Sequence, residues 1–104
     1  MRRGEIWWAD LPAPGGTRPI VLLSRDEAYA ARALVIVAVV TTRIRDLPTE
    51  VALNEDDGLA RPSVINLDVI QTIEKSLLRE RISLLRPHKL KQLDDALQFA
   101  LGLR

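Results

Sequence analysis

The spacing of apolar and polar positions changes once along the chain, from strand-like runs to a helical repeat. Glu5 to Leu11 opens the series of strands, with Ile6 and Trp8, and Leu11 at its end, expected to face a core. Ile20 to Ser24 follows as a second strand, apolar on both faces. Leu34 to Val40 is the strongest strand, β-branched and continuous enough to be expected buried on both sides. Glu50 to Leu53 is a short strand. In Ser63 to Ile70, Val64, Ile65 and Leu67 interleave with Asn66 and Asp68, and Glu80 to Leu85 makes a last strand.

The segments between these runs are polar or rich in turn residues. Pro12-Ala13-Pro14-Gly15-Gly16 reads as a loop between two strands, too short to link domains. Ser24 to Arg32 is a polar connection with a helical turn through Glu27-Ala28-Tyr29. Arg43 to Pro48 is a charged loop, Asn54 to Gly58 an acidic turn, and Thr72 to Leu78 holds a second helical turn. After Pro87, which suits the first turn of a helix, Leu90, Leu93, Leu97, Ala100 and Leu101 recur at helical spacing. Short strands ending in one helix predict an α+β fold. The expected form is a small antiparallel, barrel-like sheet with a C-terminal helix packed on it, in a single domain over residues 1–104.

Composition narrows the chemistry. The 104 residues include no cysteine, so there is no disulfide framework, zinc-thiolate site or thiol nucleophile. His88 is the only histidine, which argues against a histidine metal site, a two-histidine ribonuclease or a Ser-His-Asp triad within one chain. No metal or cofactor is expected. No apolar run approaches the roughly 20 residues that span a bilayer, the start contains no signal-peptide apolar core, and the expected compartment is the cytoplasm, with no membrane partner. Net charge is only +1, but it is unevenly spread: residues 1–45 carry +3, residues 46–74 carry −6 and residues 75–104 carry +4. That distribution suits a basic face for a polyanion and an acidic face away from it, and equally an ordinary mixed surface.

A few residues stand out, each with an ordinary alternative. Arg18 follows two glycines and precedes Pro19, so it lies on extended backbone at the entrance to an apolar run. Its guanidinium offers bidentate donors to a phosphate; otherwise it is a loop arginine in a surface ion pair. Thr41 and Thr42 end a buried strand, where a hydroxyl can donate to a phosphate oxygen or simply cap its own backbone. Asp68 is the most plausible carboxylate for base work or for orienting Arg18, and otherwise a solvent-facing strand position. Asp56-Asp57-Gly58 lacks full calcium-loop spacing and reads as a turn, and His88 as a surface residue. One ring of Trp7-Trp8 is expected in the core and the other at a surface or interface, where it could stack on a base.

Taken in order, several segments resemble the MazF/PemK family, the toxins of bacterial toxin–antitoxin pairs. They are Arg3-Gly4-Glu5-Ile6-Trp7-Trp8-Ala9-Asp10-Leu11, Gly16-Thr17-Arg18-Pro19-Ile20-Val21-Leu22-Leu23 and Val39-Val40-Thr41-Thr42. Pro62-Ser63-Val64-Ile65-Asn66-Leu67-Asp68, Gln71-Thr72-Ile73 and Leu93-Asp94-Asp95-Ala96-Leu97 continue the match in register. The resemblance implies an SH3-like barrel acting as a homodimer. It also implies a metal-independent endoribonuclease that cuts single-stranded RNA, and a cognate antitoxin whose tail occupies the RNA groove. The family's catalytic arginine and threonine fall on Arg18 and Thr41, and an acid that some members use falls on Asp68. Three departures bear on specificity: the loop before Arg18 is short, Val69 stands where a glutamine is common, and Gln71 replaces a frequent Lys or Arg.

Such an enzyme would let the RNA 2′-hydroxyl attack the adjacent phosphate, leaving a 2′,3′-cyclic phosphate and a free 5′-hydroxyl. Arg18 would neutralise the charge building on the phosphate and Thr41 would anchor an oxygen, while the 2′-proton would go to Asp68 or to water. Thr17, Thr42, Arg43, Arg45, Asn66 and Gln71 are the expected RNA contacts. The alternative reading is a non-catalytic small barrel that binds RNA or a peptide.

Overall fold

Six strands form one antiparallel sheet in a computed structural model that describes residues 1–103. They are β1 (Glu5–Leu11), β2 (Gly16–Leu22), β3 (Leu34–Thr41), β4 (Glu50–Leu53), β5 (Ser63–Glu74) and β6 (Leu78–Leu84), in the order β4-β5-β3-β2-β1-β6. A four-residue helix, α1 (Ala28–Ala31), joins β2 to β3, and α2 (Pro87–Ala100) ends the fold. Short 3₁₀ turns occupy Glu55–Asp57 and Lys75–Leu77. This is the expected α+β arrangement. No helix among the described residues is long and apolar enough to cross a membrane.

The sheet curls until its two edges approach each other. Ser83 Oγ on β6 donates to the carbonyl of Asp57 just beyond β4, at 2.6 Å. Gly58 makes that approach possible: its φ is +88°, and a Cβ there would lie 2.8 Å from Ile82 Cγ2. Asn54 closes the same corner with a capping box, accepting the Asp56 amide while its own amide donates to Asp57. The acidic turn expected at 54–58 is therefore a structural clasp.

Both faces of the sheet are buried. On one face Ile6, Val21, Ala38, Ile65 and Leu67 meet Leu93 and Ala96 of α2. On the other, Ala9, Leu11, Ile20, Leu22, Val35, Val37 and Val39 pack around Tyr29, Ile73 and Leu78. Fully burying an aliphatic side chain of this kind stabilises a fold by about 1.5–3 kcal/mol, so the two layers dominate stability.

Several boundaries differ from those predicted. β2 begins at Gly16, because the first hairpin pairs Leu11 with Gly16 and carries Arg18 into the sheet opposite Ala9. β5 runs on to Glu74, so the turn expected over 72–78 shrinks to Lys75–Leu77, and β6 starts at Leu78. β3 is not covered on both sides throughout, since Leu34 and Ile36 at its start are exposed. Trp8, expected inside, is 39% exposed, whereas Ala9 is fully buried. Trp8 shares a face with Ile6, but the pairing of β1 with β6 shifts register on both sides of the Trp7-Trp8 pair.

Candidate active site

The mouth of the site is built where β2 begins and β3 ends. β2 places Arg18 on the same face as Ile20 and Leu22, and β3 places Thr41 on the same face as Val39 and Val37. Both side chains open into one pocket of about 150 Å³, lined by Arg18, Val39, Thr41, Arg43, Arg45, Asn66 and Val69. No carboxylate lines it.

A bulge in β5 supplies the far wall. β3 pairs Ala38 with Ile70 but Val39 with Asn66, so Leu67, Asp68 and Val69 have no partners across the ladder. The extra residues break the alternation expected through Asp68. Leu67 turns into the core and Val69 into the pocket, while Asp68 is exposed. The Asp68 carboxylate accepts the Thr49 hydroxyl at 2.6 Å, and the Leu67 amide donates to the Thr49 carbonyl at 2.9 Å. These two bonds pin the bulge to the loop that carries Arg43 and Arg45. The Glu50 carboxylate accepts the Arg45 amide at 3.0 Å and shapes the same loop.

Hydrogen bonding leaves the site's donors free to act outward. Arg18 Nε donates to the Gly15 carbonyl at 3.0 Å, which fixes the guanidinium while leaving its two terminal nitrogens for a ligand. Gly16 between them has φ +69°, the conformation that lets the loop fold back beneath Arg18. Thr41 Oγ1 accepts the Arg43 amide at 3.1 Å, so its own O–H remains available to donate. The ion pairs among the described residues involve Arg3, Arg79, Arg81, Arg86 and Lys91, and none involves Arg18, Arg43 or Arg45. Three permanent cations thus converge on one pocket with no counter-charge. That is the electrostatic form of a site for a phosphate or other polyanion.

The structure brings together Arg18, Thr41, Arg43, Arg45 and Asn66, and places the other predicted residues elsewhere. Thr17 donates to Asp10 Oδ1 at 2.7 Å, and Asp10 is bound on its other oxygen by Arg79 Nε. The Thr17 hydroxyl and the Arg79 guanidinium hold the Asp10 carboxyl below its ordinary range, and the hairpin carrying Arg18 is clamped to β6. Gln71 pairs with Val37, four residues from Thr41 and roughly 13 Å down the strand. Thr42 points to the opposite face from Thr41 and lines a neighbouring hollow with Trp8 and Pro19. Val39 and Val69 line the pocket without having been predicted there. Val39 shares a strand face with Thr41 at a spacing of two, a usable signal, but Val69 depends on the bulge.

Comparison with known proteins supplies the family. Residues 2–101 match the family model of the PemK-like, MazF-like toxins of type II toxin–antitoxin systems. The chain is 36% identical to the endoribonuclease MazF of Staphylococcus saprophyticus, with 99% of this chain and 92% of that protein aligned. Among solved structures, the Mycobacterium tuberculosis toxin MazF-mt6 superposes with a TM-score of 0.90 at 33% identity, over 96% of this chain and 98% of that one. An endoribonuclease from a mycobacterial species, solved in complex with its cognate antitoxin, also gives 0.90, at 30% identity over 100% and 97%. The chain belongs to the PemK-like, MazF-like toxin family of type II toxin–antitoxin systems.

Proposed function

We propose that this toxin is an endoribonuclease that cuts single-stranded RNA at the Arg18–Thr41 pocket, without a metal. The observation that carries the reading is the convergence of three unpaired guanidinium groups and a free hydroxyl donor on one acid-free pocket. A phosphodiester seated there meets Arg18 on the oxygens that gain charge as the 2′-hydroxyl attacks. Thr41 donates to a non-bridging oxygen and fixes the in-line geometry. Arg43 and Arg45 hold flanking phosphates, and the Asn66 side chain reaches the same wall. As the 2′-oxygen bonds to phosphorus the P–O5′ bond breaks and the departing 5′-oxygen takes a proton from water, leaving a 2′,3′-cyclic phosphate and a 5′-hydroxyl.

Asp68 fits a positioning role better than that of a base. Its carboxylate is spent on Thr49 and lies off the pocket lining, which favours water as the acceptor of the 2′-proton. The chain acts as a cytoplasmic homodimer restrained by a cognate antitoxin. Exposed Leu34 and Ile36 on β3, with Phe99 and Leu101 at the end of α2, supply apolar surface suited to a second copy. The test is cleavage of single-stranded RNA by the purified toxin, with Arg18→Ala as the paired variant. Cyclic phosphate ends that disappear in the variant support the reading. RNA binding without any such ends would make the chain a binding module instead.

A further inference from the structure

Beside the catalytic pocket lies a second hollow, of about 330 Å³, lined by Trp8, Pro19, Thr42, Gly58, Leu59, Ala60, Arg61 and Ser63. It differs from the first in kind. One wall is an indole ring 39% exposed, packed beside a proline, and the only ionic lining group is Arg61. Trp8 and Pro19 are direct partners across β1 and β2, so ring and proline form one apolar wall. The two tryptophans also differ. Trp7 Nε1 donates to Glu5 at 2.9 Å, whereas Trp8 Nε1 has no partner among the described residues. Arg61 likewise forms no ion pair there.

The two hollows are joined through the chain itself. Arg18 and Pro19 are consecutive residues that line the first and the second, and so are Thr41 and Thr42. Because neighbouring residues of a strand face opposite ways, the hollows lie back to back across the exposed ends of β2 and β3. A single strand whose phosphate rests on Arg18 and Thr41 crosses that rim at its next nucleotide. The base then falls against Trp8, with Arg61 beside the following phosphate.

We propose that the Trp8 hollow is a nucleobase subsite, which receives the unstacked base adjacent to the scissile phosphate and contributes to sequence choice. The inference rests on the endoribonuclease reading above. An aromatic face stacks on any base, and the free indole N–H can donate to one base edge and not another, so selectivity here comes from a donor and a shape.

The test uses a short single-stranded RNA containing the mapped cleavage sequence, made uncleavable by 2′-deoxyribose at the scissile nucleotide. Its binding is measured with the full chain and with Trp8→Ala and Trp8→Phe. Loss of a base–aromatic stack weakens binding by about 5- to 150-fold in Trp8→Ala, and Trp8→Phe recovers most of it. An abasic substitution scan sharpens the assignment: one position next to the scissile phosphate should weaken binding to the unsubstituted chain and have no further effect in Trp8→Ala. In a Trp7→Phe background, where Trp8 is the sole tryptophan and is excited apart from Tyr29, RNA should quench its emission. The same abasic profile in both proteins, or emission indifferent to RNA, overturns the subsite while leaving cleavage intact. A Trp8→Ala chain that binds RNA normally but escapes an antitoxin peptide assigns the hollow to the antitoxin and also overturns it. No RNA binding by the unsubstituted chain overturns the endoribonuclease reading and the subsite with it.

Discussion

Arginines at two places in this sheet have opposite surroundings. Along β1 and β6, Arg81 pairs with Glu5 at 3.1 Å and Arg79 with Asp10, and Arg3 reaches Asp94 of α2 at 2.7 Å. At the ends of β2 and β3, Arg18, Arg43 and Arg45 face a common pocket and pair with nothing among the described residues. The first set spends its charge inside the molecule. The second holds repelling charges together, a cost that a bound polyanion offsets. Position in the sheet decides between the roles: the β1–β6 ladder brings Glu5 and Asp10 into ion pairs with its arginines, whereas Asp68 on the bulge and Glu50 beside the loop bond to Thr49 and to backbone amides instead.

Substitutions should separate the two sets, beginning with the largest effect. Arg18→Ala should lower the cleavage rate about 10²–10³-fold, the usual cost of one electrostatic donor, while its thermal melt moves little. A variant that melts early as well would place Arg18 with the structural set. Arg43→Ala and Arg45→Ala should each weaken RNA binding and reduce the slope of log affinity against log salt by about 1. An unaltered slope would remove that residue from the phosphate path.

Arg81→Ala should do the reverse, costing about 1 kcal/mol of stability with no change in salt slope, since its partner Glu5 is buried while Arg81 itself is half exposed. Denaturant titration alongside RNA binding would show both.

Acidity should distinguish the sets most gently. Burial pushes the Glu5 carboxyl up, but hydrogen bonds from Trp7, the Arg2 backbone and Arg81 outweigh it, and the pKa falls below the ordinary carboxylate value. Asp10 is lowered too, by Thr17 and then Arg79. A depressed folded pKa means stability that is present above the unfolded pKa and lost as pH falls through the folded one. Acid should therefore begin to destabilise the β1–β6 side as pH falls through the ordinary carboxylate range, with the loss complete only below it. At the other end, burial pushes Tyr29 up to about 12, so its contribution is complete below the unfolded tyrosine pKa of about 10 and disappears as pH rises through 12. Guanidinium groups do not titrate across this span, so RNA binding by folded protein should track salt rather than these ionisations. Stability curves that ignore Glu5→Gln in acid would undo the argument.

The sequence made most of the fold readable, because β-branched runs and the Leu90-Leu93-Leu97 spacing report local preference directly. Arg18, Thr41, Arg43, Arg45 and Asn66 were also legible as a group. The residues that escaped all depend on pairing, which a single sequence does not display. Asp68 reads as a site carboxylate, but the three-residue bulge turns it toward Thr49. Thr42 reads as part of the same mouth as Thr41, but it follows the last residue of β3 and lines the neighbouring hollow. Strand alternation in β1 puts Trp8 inside with Ile6, yet both faces of the strand are covered elsewhere and Trp8 is left exposed between two register shifts.

Metal-free transesterification is the reaction we propose for the unpaired arginines. Its most direct test is the chemistry of the ends left on single-stranded RNA by the purified chain in excess EDTA. Undiminished cleavage is expected, with a 2′,3′-cyclic phosphate on one fragment and a 5′-hydroxyl on the other. Cleavage lost to the chelator, or 5′-phosphate and 3′-hydroxyl ends, would contradict it.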